Sequence, residues 1–410
     1  MGPAAYCQPV LSLEDWRSMR RRQVAVLFGV LAFCGWPAAS QAASFAPGVH
    51  HRSTDSAQEI LRFWTKQRLA TARTVAAPVT SHPVRQRLSV PIGGPQGNGW
   101  WDPSKMGNWP RIGRLYMYDK QLGWWGFCSA AVVDSANAST IWTAGHCVKG
   151  QSWFAKMLFV PGQNSADGFR AAPYGRWPIA DLWTTTAWSQ NSRCESNCPF
   201  GSDYGAALAW PRSDGTRLAT AVGSFPMWFG AGLTGSTVLA IGYPASPPYF
   251  DKYEGFLFYC YNPISYYEGD DFGKYQWRMP CNMTGGSSGG PWLEQSGGYW
   301  YVVSNTSNGD GDDEKVPTTF LDGPNLDTVD AKGFYNQAQS ATTIGCVVPG
   351  VRNMRLASAR AAIANAHCAV GKVRRARSVR RRWGRVLSQW PARGMQFATG
   401  AKIDLVVGRR

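Results

Sequence analysis

A glycine-rich stretch in the last third of the chain combines two serines with a backbone that can turn sharply. It reads Thr284-Gly285-Gly286-Ser287-Ser288-Gly289-Gly290-Pro291. Glycine permits positive φ and close approach of neighbouring chains, so successive N–H groups can converge on one point, as an oxyanion hole requires. Taken alone, the stretch fits either a nucleophilic serine on a tight turn or an ordinary Gly/Ser loop between strands.

A candidate base and a candidate acid precede this stretch. His146, in the run Thr143-Ala144-Gly145-His146-Cys147, is the only histidine between residues 91 and 341. Asp203 stands at the start of an apolar run, and we favour it over Asp181, which lies in a weaker strand context. A serine hydroxyl needs a base within hydrogen-bond reach, and that base needs an acid to orient it. The three residue types therefore predict nucleophilic catalysis by Ser288.

Short β-rich runs broken by turns surround these residues. Glycine (45) and proline (26) are abundant, which favours short strands and many turns. The predicted strands are Arg111–Tyr118, Trp124–Val133, Thr140–Ala144, Trp153–Val160, Tyr204–Trp210, Ser236–Ile241, Phe256–Tyr261 and Tyr299–Ser304. A helix is predicted from Asn325 to Ala338. This spacing indicates an all-β sandwich or pair of barrels closed by a C-terminal helix.

Three motifs together resemble the active-site motifs of chymotrypsin-fold serine peptidases. They are Thr143–Cys147, Asp203–Leu208 and Gly286–Pro291, in the His-Asp-Ser order of that family, and Cys281–Ser288 is similar to its secreted bacterial branch. The resemblance covers roughly residues 96–341. It implies a chymotrypsin-like double β-barrel with the site between the barrels. It also implies the site residues, which are Ser288 as nucleophile, His146 as general base and then acid, Asp203 as orienting acid, and the N–H groups of Gly286 and Ser288 as oxyanion hole.

Two departures from the family bear on activation and specificity. Ser287 stands where animal members carry the aspartate that pairs with a newly cut N-terminus, so we expect a pro-segment to regulate the enzyme. Cys281 lies seven residues before the nucleophile, which leaves the alignment of the specificity pocket open. The candidate pocket residues are Asn282, at its base by position, and Ser304, on the predicted substrate-binding strand. Neither residue is charged, so we expect a neutral or broad preference.

The first 42 residues predict a secretory signal peptide. Arg20-Arg21-Arg22 precedes an apolar run from Val24 to Trp36, and small residues follow up to Ala42. The apolar run is too short to span a membrane comfortably, and the whole pattern is typical of a signal peptide. Translation could start at Met1 or at Met19. We expect a secreted protein with no transmembrane segment in the mature chain.

Residues 43–92 are interpreted as a pro-segment. Ser56 and Glu59 form a capping box, and Ile60, Leu61, Trp64 and Leu69 repeat at helical spacing. Phe63-Trp64-Thr65 followed by Arg68 resembles the segment that precedes the peptidase domain in many secreted bacterial relatives. The alternative is an ordinary N-terminal extension. The peptidase domain is then expected to span residues 93–341.

Eight of the ten cysteines lie beyond the leader and form four sequence-local pairs. The pairs are Cys128/Cys147, Cys194/Cys198, Cys260/Cys281 and Cys346/Cys368. An even count behind an export signal favours disulfides over reduced thiols, and one histidine offers little to a zinc site. We expect no metal and no cofactor. An acidic loop does not fit the EF-hand pattern and is expected to be solvated rather than to bind calcium; it contains Asp310, Asp312, Asp313 and Glu314.

Residues 342–410 form a basic tail with a net charge of +14, whereas residues 91–341 carry −5. A helix is expected from Arg352 to Ala366, followed by three strands, with Cys346 and Cys368 stapling the unit. Several motifs resemble a PASTA domain: Val348-Pro349, the Ala-rich helix, Val370–Val373, Val386–Pro391 and Leu405–Val407. The resemblance implies a small α+β domain that attaches to peptidoglycan, with the charge adding attraction to anionic wall polymers. An uncommitted basic module is an alternative, and nucleic-acid binding is less favoured.

The sequence as a whole predicts a secreted serine endopeptidase that acts on protein or peptide substrates outside the cell or at its wall. Two alternatives remain open. One is a bacteriolytic peptidase that cleaves wall peptides. The other is a non-catalytic wall-binding protein that keeps a peptidase fold.

Overall fold

The structure of the protein is a computed structural model. It describes residues 48–75, 97–101, 109–163, 172–192, 198–212, 214–245, 256–268, 275–310, 318–342, 345–397 and 400–410. All of them belong to one compact unit, Phe45–Arg410. The expected signal peptide lies outside the described residues. Within the described residues, no helix has the length and apolar character needed to cross a membrane.

The described residues of the first half of the chain form nine strands and three short α-helices. In chain order they are β1 (Gly48–Arg52), α1 (Ala57–Phe63), α2 (Lys66–Ala70), β2 (Arg73–Thr74), β3 (Gly97–Trp100), β4 (Ile112–Asp119), β5 (Trp124–Val132), β6 (Thr140–Thr143), β7 (Ala155–Pro161), β8 (Trp177–Thr185), α3 (Thr186–Asn191) and β9 (Gly205–Ala209). Six of these strands close into a barrel in the order β4, β5, β6, β9, β8 and β7, since β7 also pairs with β4.

Side chains along the barrel strands alternate between an interior core and an outer layer. Leu115, Val132, Ile141, Leu182 and Ala207 are fully or almost fully buried in one interior cluster. Strand β8 was not among the predicted strands. It contains Pro178 and Asp181, residue types that weaken the strand pattern, yet it pairs on both sides and is buried along its whole length.

The predicted pro-segment packs against this barrel. Strand β1 pairs antiparallel with β8, and β2 pairs parallel with β5. The expected capping box is present, with Ser56 and Glu59 bonding each other's backbone N–H. Ile60 and Trp64 have no exposed surface, and the Trp64 indole N–H donates to the Lys156 carbonyl. Ile60 and Trp64 therefore belong to a second core cluster, which they share with barrel residues such as Tyr116 and Leu158.

The part of the second half that the structure describes, up to residue 342, contains eight strands and two α-helices. They are α4 (Leu218–Val222), β10 (Thr237–Gly242), β11 (Phe258–Pro263), β12 (Ser265–Glu268), β13 (Tyr275–Pro280), β14 (Pro291–Ser296), β15 (Tyr299–Asn305), β16 (Asn308–Gly309), β17 (Phe320–Pro324) and α5 (Val329–Ser340). One sheet has the order β15-β14-β10-β11-β3, and the other has the order β12-β13-β17-β16. Ala240 and Trp292 from the first sheet share a core with Trp277 and Leu321 from the second.

All eight predicted strands are present to within two residues at each end, and the all-β, chymotrypsin-like fold class is confirmed. The C-terminal helix α5 begins four residues later than predicted. Thr328 caps it by accepting the Ala331 N–H, while the preceding Asp327 is drawn away to accept three N–H groups from Gly230, Ala231 and Gly232. Phe334 of α5 packs edge-on against Trp142 and Tyr204 of the barrel.

The tail folds as a small α+β unit. It contains β18 (Cys346–Val347), α6 (Leu356–Asn365), β19 (Ala369–Arg377), β20 (Val386–Trp390), β21 (Gln396–Phe397) and β22 (Lys402–Arg409). Strand β22 is central, parallel to β19 and antiparallel to β20. Ala359 and Ile363 of α6 are buried with Ile403, Leu405 and Val407 of β22. The PASTA resemblance of this unit stays a prediction.

Candidate active site

His146 lies on a single 3₁₀ turn, Gly145–Cys147, directly after β6. The Cys128–Cys147 disulfide, with an S–S distance of 2.05 Å, ties this turn to β5. Strand β6 also pairs with β9, where Thr143 faces Gly205. These contacts fix the turn from two sides, and His146 is 4% exposed.

Asp203 lies just before β9, so the same strand pairing brings it to His146. It has no exposed surface. Its Oδ1 accepts the backbone N–H of His146 at 2.8 Å, and its Oδ2 lies 2.7 Å from the ring Nδ1. A carboxylate can only accept hydrogen bonds, so Nδ1 carries a hydrogen, and in the neutral imidazole Nε2 keeps a lone pair. This is the tautomer that a general base needs.

Asp203 is held further by the last residue of β15 and by the chain that follows the strand. The Ser307 hydroxyl donates to its Oδ2 at 2.6 Å, and the Asn305 side-chain amide donates to its backbone carbonyl at 3.1 Å. Asn305 in turn accepts the Trp142 indole N–H at 3.0 Å. Ser307 is a site residue that the sequence reasoning missed. Its only sequence signal is a position three residues beyond the predicted pocket serine.

Ser304, the predicted pocket serine, has no exposed surface. Its hydroxyl donates to the Pro324 carbonyl at 2.7 Å. Ser304 and Ser307 have different partners because of where β15 ends. Ser304 is still on β15, whereas Ser307 lies beyond the strand end, where the chain turns toward Asp203. Ser304 thus connects β15 with β17.

The Ser307 backbone is bonded to Asp322, a residue whose side chain forms a buried ion pair. Its N–H donates to the Asp322 carbonyl at 2.9 Å, and the Asp322 carboxylate receives two hydrogen bonds from Arg278 at 2.7 and 2.6 Å. Burial raises the pKa of Asp322, and the Arg278 guanidinium only partly offsets that effect. The bidentate geometry satisfies both carboxylate oxygens.

The rival acid Asp181 lies elsewhere on the barrel. It is 2% exposed on β8, and its Oδ1 accepts from His50 Nε2 and from Arg52 Nε, both at 2.9 Å. Among the described hydrogen bonds, none joins it to His146. Its role is to hold strand β1 to the barrel.

The serine-containing turn presents two N–H groups in defined directions. The Gly285 carbonyl accepts the Ala245 N–H at 3.0 Å, and the Ser287 carbonyl accepts the Gly290 N–H at 2.9 Å. Because N–H and C=O of one peptide point in opposite directions, the N–H groups of Gly286 and Ser288 point away from these contacts. Neither has an acceptor among the described residues. Gly286 has a φ of +95°, which favours glycine.

The turn lies directly against the strand end that carries His146. The Ser288 carbonyl accepts the Ser129 N–H at 2.8 Å, and Gly289 is so close to the barrel that an added Cβ would lie 2.8 Å from the Ala144 nitrogen. His146 Nε2 is buried without a hydrogen-bond partner, and the described hydrogen bonds include none from the Ser288 hydroxyl. A buried imidazole with an unpartnered Nε2, beside a serine turn with two N–H groups that lack described acceptors, is the set of groups that serine acyl transfer uses.

Asn282, the predicted pocket residue, lies at the surface. It is exposed and accepts a hydrogen bond from the Asn98 side chain at 2.9 Å. Asn98 accepts in turn from Asn262, also at 2.9 Å. The three amides link β3 and β11 to the chain before the serine turn.

Three of the expected disulfides are present, and the fourth lies partly outside the described residues. Cys128–Cys147, Cys260–Cys281 and Cys346–Cys368 are bonded. Cys198 is disulfide-bonded, while Cys194 falls outside the described part of the chain. Cys128 and Cys147 lie near His146, but sulfurs committed to a disulfide are not thiolate metal ligands.

Of the predicted acidic loop, only Asp310 falls within the described residues. Its carboxylate accepts the backbone N–H groups of Thr319 and Phe320, both at 2.8 Å. Asp310 thereby closes the loop onto the start of β17. Asp312, Asp313 and Glu314 lie outside the described residues.

Comparison with known proteins identifies relatives among solved structures. No protein-family model and no curated protein matches the chain. The protease Anisep from Arthrobacter nicotinovorans is 31% identical, over 57% of this chain and 96% of its own, with a TM-score of 0.48. The thermostable serine protease AL20 from an extremophilic microorganism is also 31% identical, over 57% of this chain and 98% of its own, with a TM-score of 0.47.

A third solved structure, a Glu endopeptidase in complex with MPD, is 19% identical, over 62% of this chain and all of its own, with a TM-score of 0.45. The sequence identity to the first two proteases extends over nearly their whole length. At 31% identity with that coverage, the chain belongs to the bacterial serine proteases of chymotrypsin-like fold.

Proposed function

We propose that the chain is a secreted serine endopeptidase in which Ser288, His146 and Asp203 form the catalytic triad. The observation that carries the proposal is the double hydrogen bond between His146 and the buried Asp203 carboxylate, next to a turn with two N–H groups that lack acceptors. A buried carboxylate in this position orients the imidazole and stabilises its charged form.

In the proposed reaction the Ser288 hydroxyl attacks the scissile carbonyl carbon and its proton passes to His146 Nε2. The carbonyl oxygen becomes an oxyanion, which accepts hydrogen bonds from the Gly286 and Ser288 N–H groups. The intermediate collapses, the carbon–nitrogen bond breaks, and His146 gives its proton to the leaving amine. Water then attacks the acyl-enzyme by the same route, which releases the new carboxylate and restores Ser288.

A serine-directed fluorophosphonate tests the catalytic claim. Wild-type protein should be labelled and should hydrolyse casein, whereas Ser288→Ala should do neither. Ser287→Ala is the matched control, because it removes a neighbouring hydroxyl that donates to the Thr284 carbonyl, and it should still be labelled at Ser288. Equal inactivity of wild type and Ser288→Ala in both assays would favour the non-catalytic alternative.

We further propose that residues 43–92 act as a pro-segment. The observation that supports this proposal is that Arg73–Val75 run beside the serine turn. Arg73 and Thr74 pair with Gly126 and Phe127 of β5. The Val75 N–H donates to the Phe127 carbonyl at 3.2 Å, and Thr74 Cγ2 lies 3.2 Å from where a Cβ on Gly286 would be. This segment occupies backbone positions next to the proposed oxyanion hole.

The pro-segment proposal predicts that a cut between residues 76 and 96 leaves the enzyme inactive until residues 48–75 are removed. Strand β1, the buried Ile60 and Trp64, and the Asp55–Lys156 ion pair at 2.6 Å would hold this segment in place. N-terminal sequencing and size-exclusion chromatography of active protein test this. If the active enzyme retains residues 48–75 at full stoichiometry, the segment is a permanent part of the fold and not an inhibitor.

For specificity, we propose a neutral or broad preference at the cleaved bond. No acidic residue that would select Arg or Lys lies between Cys281 and Ser288, and no histidine that would select Glu lies in the predicted substrate-binding strand, Tyr301–Asn305. Profiling with a peptide library tests the proposal, and cleavage confined to one charged residue would contradict it.

For the tail, we propose a role in attachment to peptidoglycan or to anionic wall polymers. Its open sheet face carries Lys372, Arg374 and Trp390 in one groove, and Trp390 is half exposed. Cationic side chains beside an aromatic ring suit an anionic glycan. The inactive Ser288→Ala chain should pellet with purified cell walls, and the same chain ending at residue 341 should remain in the supernatant.

A bacteriolytic activity is the second candidate, because such a tail would bring the site to wall peptides. Clearing of a cell-wall suspension, measured beside casein hydrolysis, separates the two. Rapid clearing with slow casein hydrolysis would favour the bacteriolytic reading over a general endopeptidase.

A further inference from the structure

We propose that Ser129 is a positioning residue for the proposed reaction, one that fixes the direction of both oxyanion-hole N–H groups. The inference rests on the proposed peptidase function. Ser129 follows Cys128 on β5 and has no exposed surface. Nothing in the sequence motifs singled it out.

Every polar group of Ser129 is used, and two of the contacts reach the serine turn. Its hydroxyl donates to the Gly286 carbonyl at 2.8 Å and accepts the Tyr243 N–H at 2.8 Å. Its backbone N–H donates to the Ser288 carbonyl at 2.8 Å. Its carbonyl accepts the Thr143 hydroxyl at 2.9 Å. A serine hydroxyl has one hydrogen to donate, and here it goes to the turn.

These contacts complete the restraint of Gly286. The peptide plane before its Cα is held by the bond from Ala245 to the Gly285 carbonyl, and the plane after it is held by the Ser129 hydroxyl. Glycine at positive φ has no Cβ to limit rotation of either plane. With both planes held, the Gly286 N–H has one direction.

The same logic applies to Ser288. The plane before its Cα is held through the Ser287 carbonyl by Gly290, and the plane after it is held through the Ser288 carbonyl by the Ser129 N–H. Ser129 therefore supplies one of the two restraints on each proposed donor. Preorganised donors stabilise a developing oxyanion without reorganising during the reaction.

Ser129 also joins the turn to the other two parts of the site. Through Thr143 it contacts the strand end that precedes His146, and through Tyr243 it contacts the chain after β10. A buried serine with satisfied hydrogen bonds could serve stability alone. The two roles differ in what they predict for catalysis, because a purely structural serine would not separate kcat from KM.

The test compares Ser129→Ala with a matched control, Thr140→Val. Both positions are fully buried, and Thr140→Val loses one hydrogen bond, at 2.9 Å to Asn137, a residue with no described hydrogen bond to the turn. Both variants should lower the melting temperature by a few degrees. Ser129→Ala alone should lower kcat by about tenfold at unchanged KM, less than the roughly hundredfold cost of losing a direct donor.

Affinity for a peptide aldehyde should fall in parallel with kcat, because its hemiacetal oxygen occupies the oxyanion hole, whereas affinity for a product peptide should not change. Ser129→Thr keeps the hydroxyl and should recover most of the kcat. An unchanged kcat in Ser129→Ala, or an equal loss in Thr140→Val, would overturn the inference while leaving the peptidase intact. A wild-type protein that is inactive and unlabelled by fluorophosphonate would instead overturn the proposed function itself, and the inference with it.

Discussion

Asp203 and His146 are joined by two hydrogen bonds, one from the backbone N–H to Oδ1 and one between the ring Nδ1 and Oδ2. The two bonds fix the backbone position of His146 as well as the orientation of its ring, since the His146 backbone and side chain bind the same carboxylate. Replacing Asp203 should therefore disturb catalysis much more than binding.

The variant Asp203→Asn should keep the fold and lower kcat by about a thousandfold or more, because an amide at this position favours the wrong imidazole tautomer. Steady-state kinetics on a peptide substrate measures the loss. Asp181→Asn is the matched control, since Asp181 is equally buried and also contacts a histidine. It should keep kcat. A larger loss in Asp181→Asn than in Asp203→Asn would reverse the assignment of the acid.

Ser307→Ala should lower kcat by about ten- to a hundredfold, because a hydrogen bond to a charged group stabilises by about 1.5–3 kcal/mol and one of three bonds to the Asp203 carboxylate would be lost. The control is Ser304→Ala, three residues earlier, whose hydroxyl binds the Pro324 carbonyl. It should destabilise the protein slightly and leave kcat unchanged. An unchanged kcat in Ser307→Ala, or an equal loss in Ser304→Ala, would contradict the role given to Ser307.

Gly289→Ala should destabilise the protein by at least about 3 kcal/mol, since strain at positive φ adds to overpacking. Gly289 has a φ of +76°, and a Cβ there would lie 2.0 Å from Thr143 Oγ1 and 2.5 Å from the Ser129 carbonyl oxygen. Urea unfolding measures the change. Gly297→Ala is the control, with a φ of +57° and open space around it. A similar small loss in both variants would show that the turn can move away from the barrel.

The attachment of the N-terminal segment should weaken as the pH falls. Burial lowers the pKa of His51 from its usual 6.5, and nearby His50 and Lys120 lower it further, against the attraction of Asp181 and Asp55. The unfolded chain therefore binds a proton before the folded one does, so stability is full above pH 6.5 and is lost as the pH falls through the folded pKa.

Asp55 extends this loss to more acidic pH. Burial raises its pKa, but hydrogen bonds from the Lys156 side chain and backbone outweigh burial and hold the pKa below the usual 3.8. Its contribution is present above pH 3.8 and is lost below it. Urea midpoints between pH 8 and pH 3 measure both steps. His51→Gln should remove the first step and keep the second, and an unaltered profile in that variant would contradict the account.

Local sequence patterns were enough to predict several features. The eight predicted strands stand out because Gly- and Pro-rich turns bound short β-rich runs, and the sequence-local cysteine pairs indicate disulfides such as Cys128–Cys147. His146 was recognisable because no other histidine lies in its part of the chain. Motif context and spacing also singled out Asp203 and Ser288, whose catalytic roles stay proposals.

Tertiary structure alone decided which polar groups meet. Ser307 and Ser304 are alike in sequence, yet only Ser307 reaches Asp203, because it lies beyond the end of β15 and is held by Asp322 of β17. The contacts of Ser129 with Gly286 and Tyr243 span more than a hundred residues. Such contacts depend on how strands from distant segments come together, and spacing along one chain does not encode that.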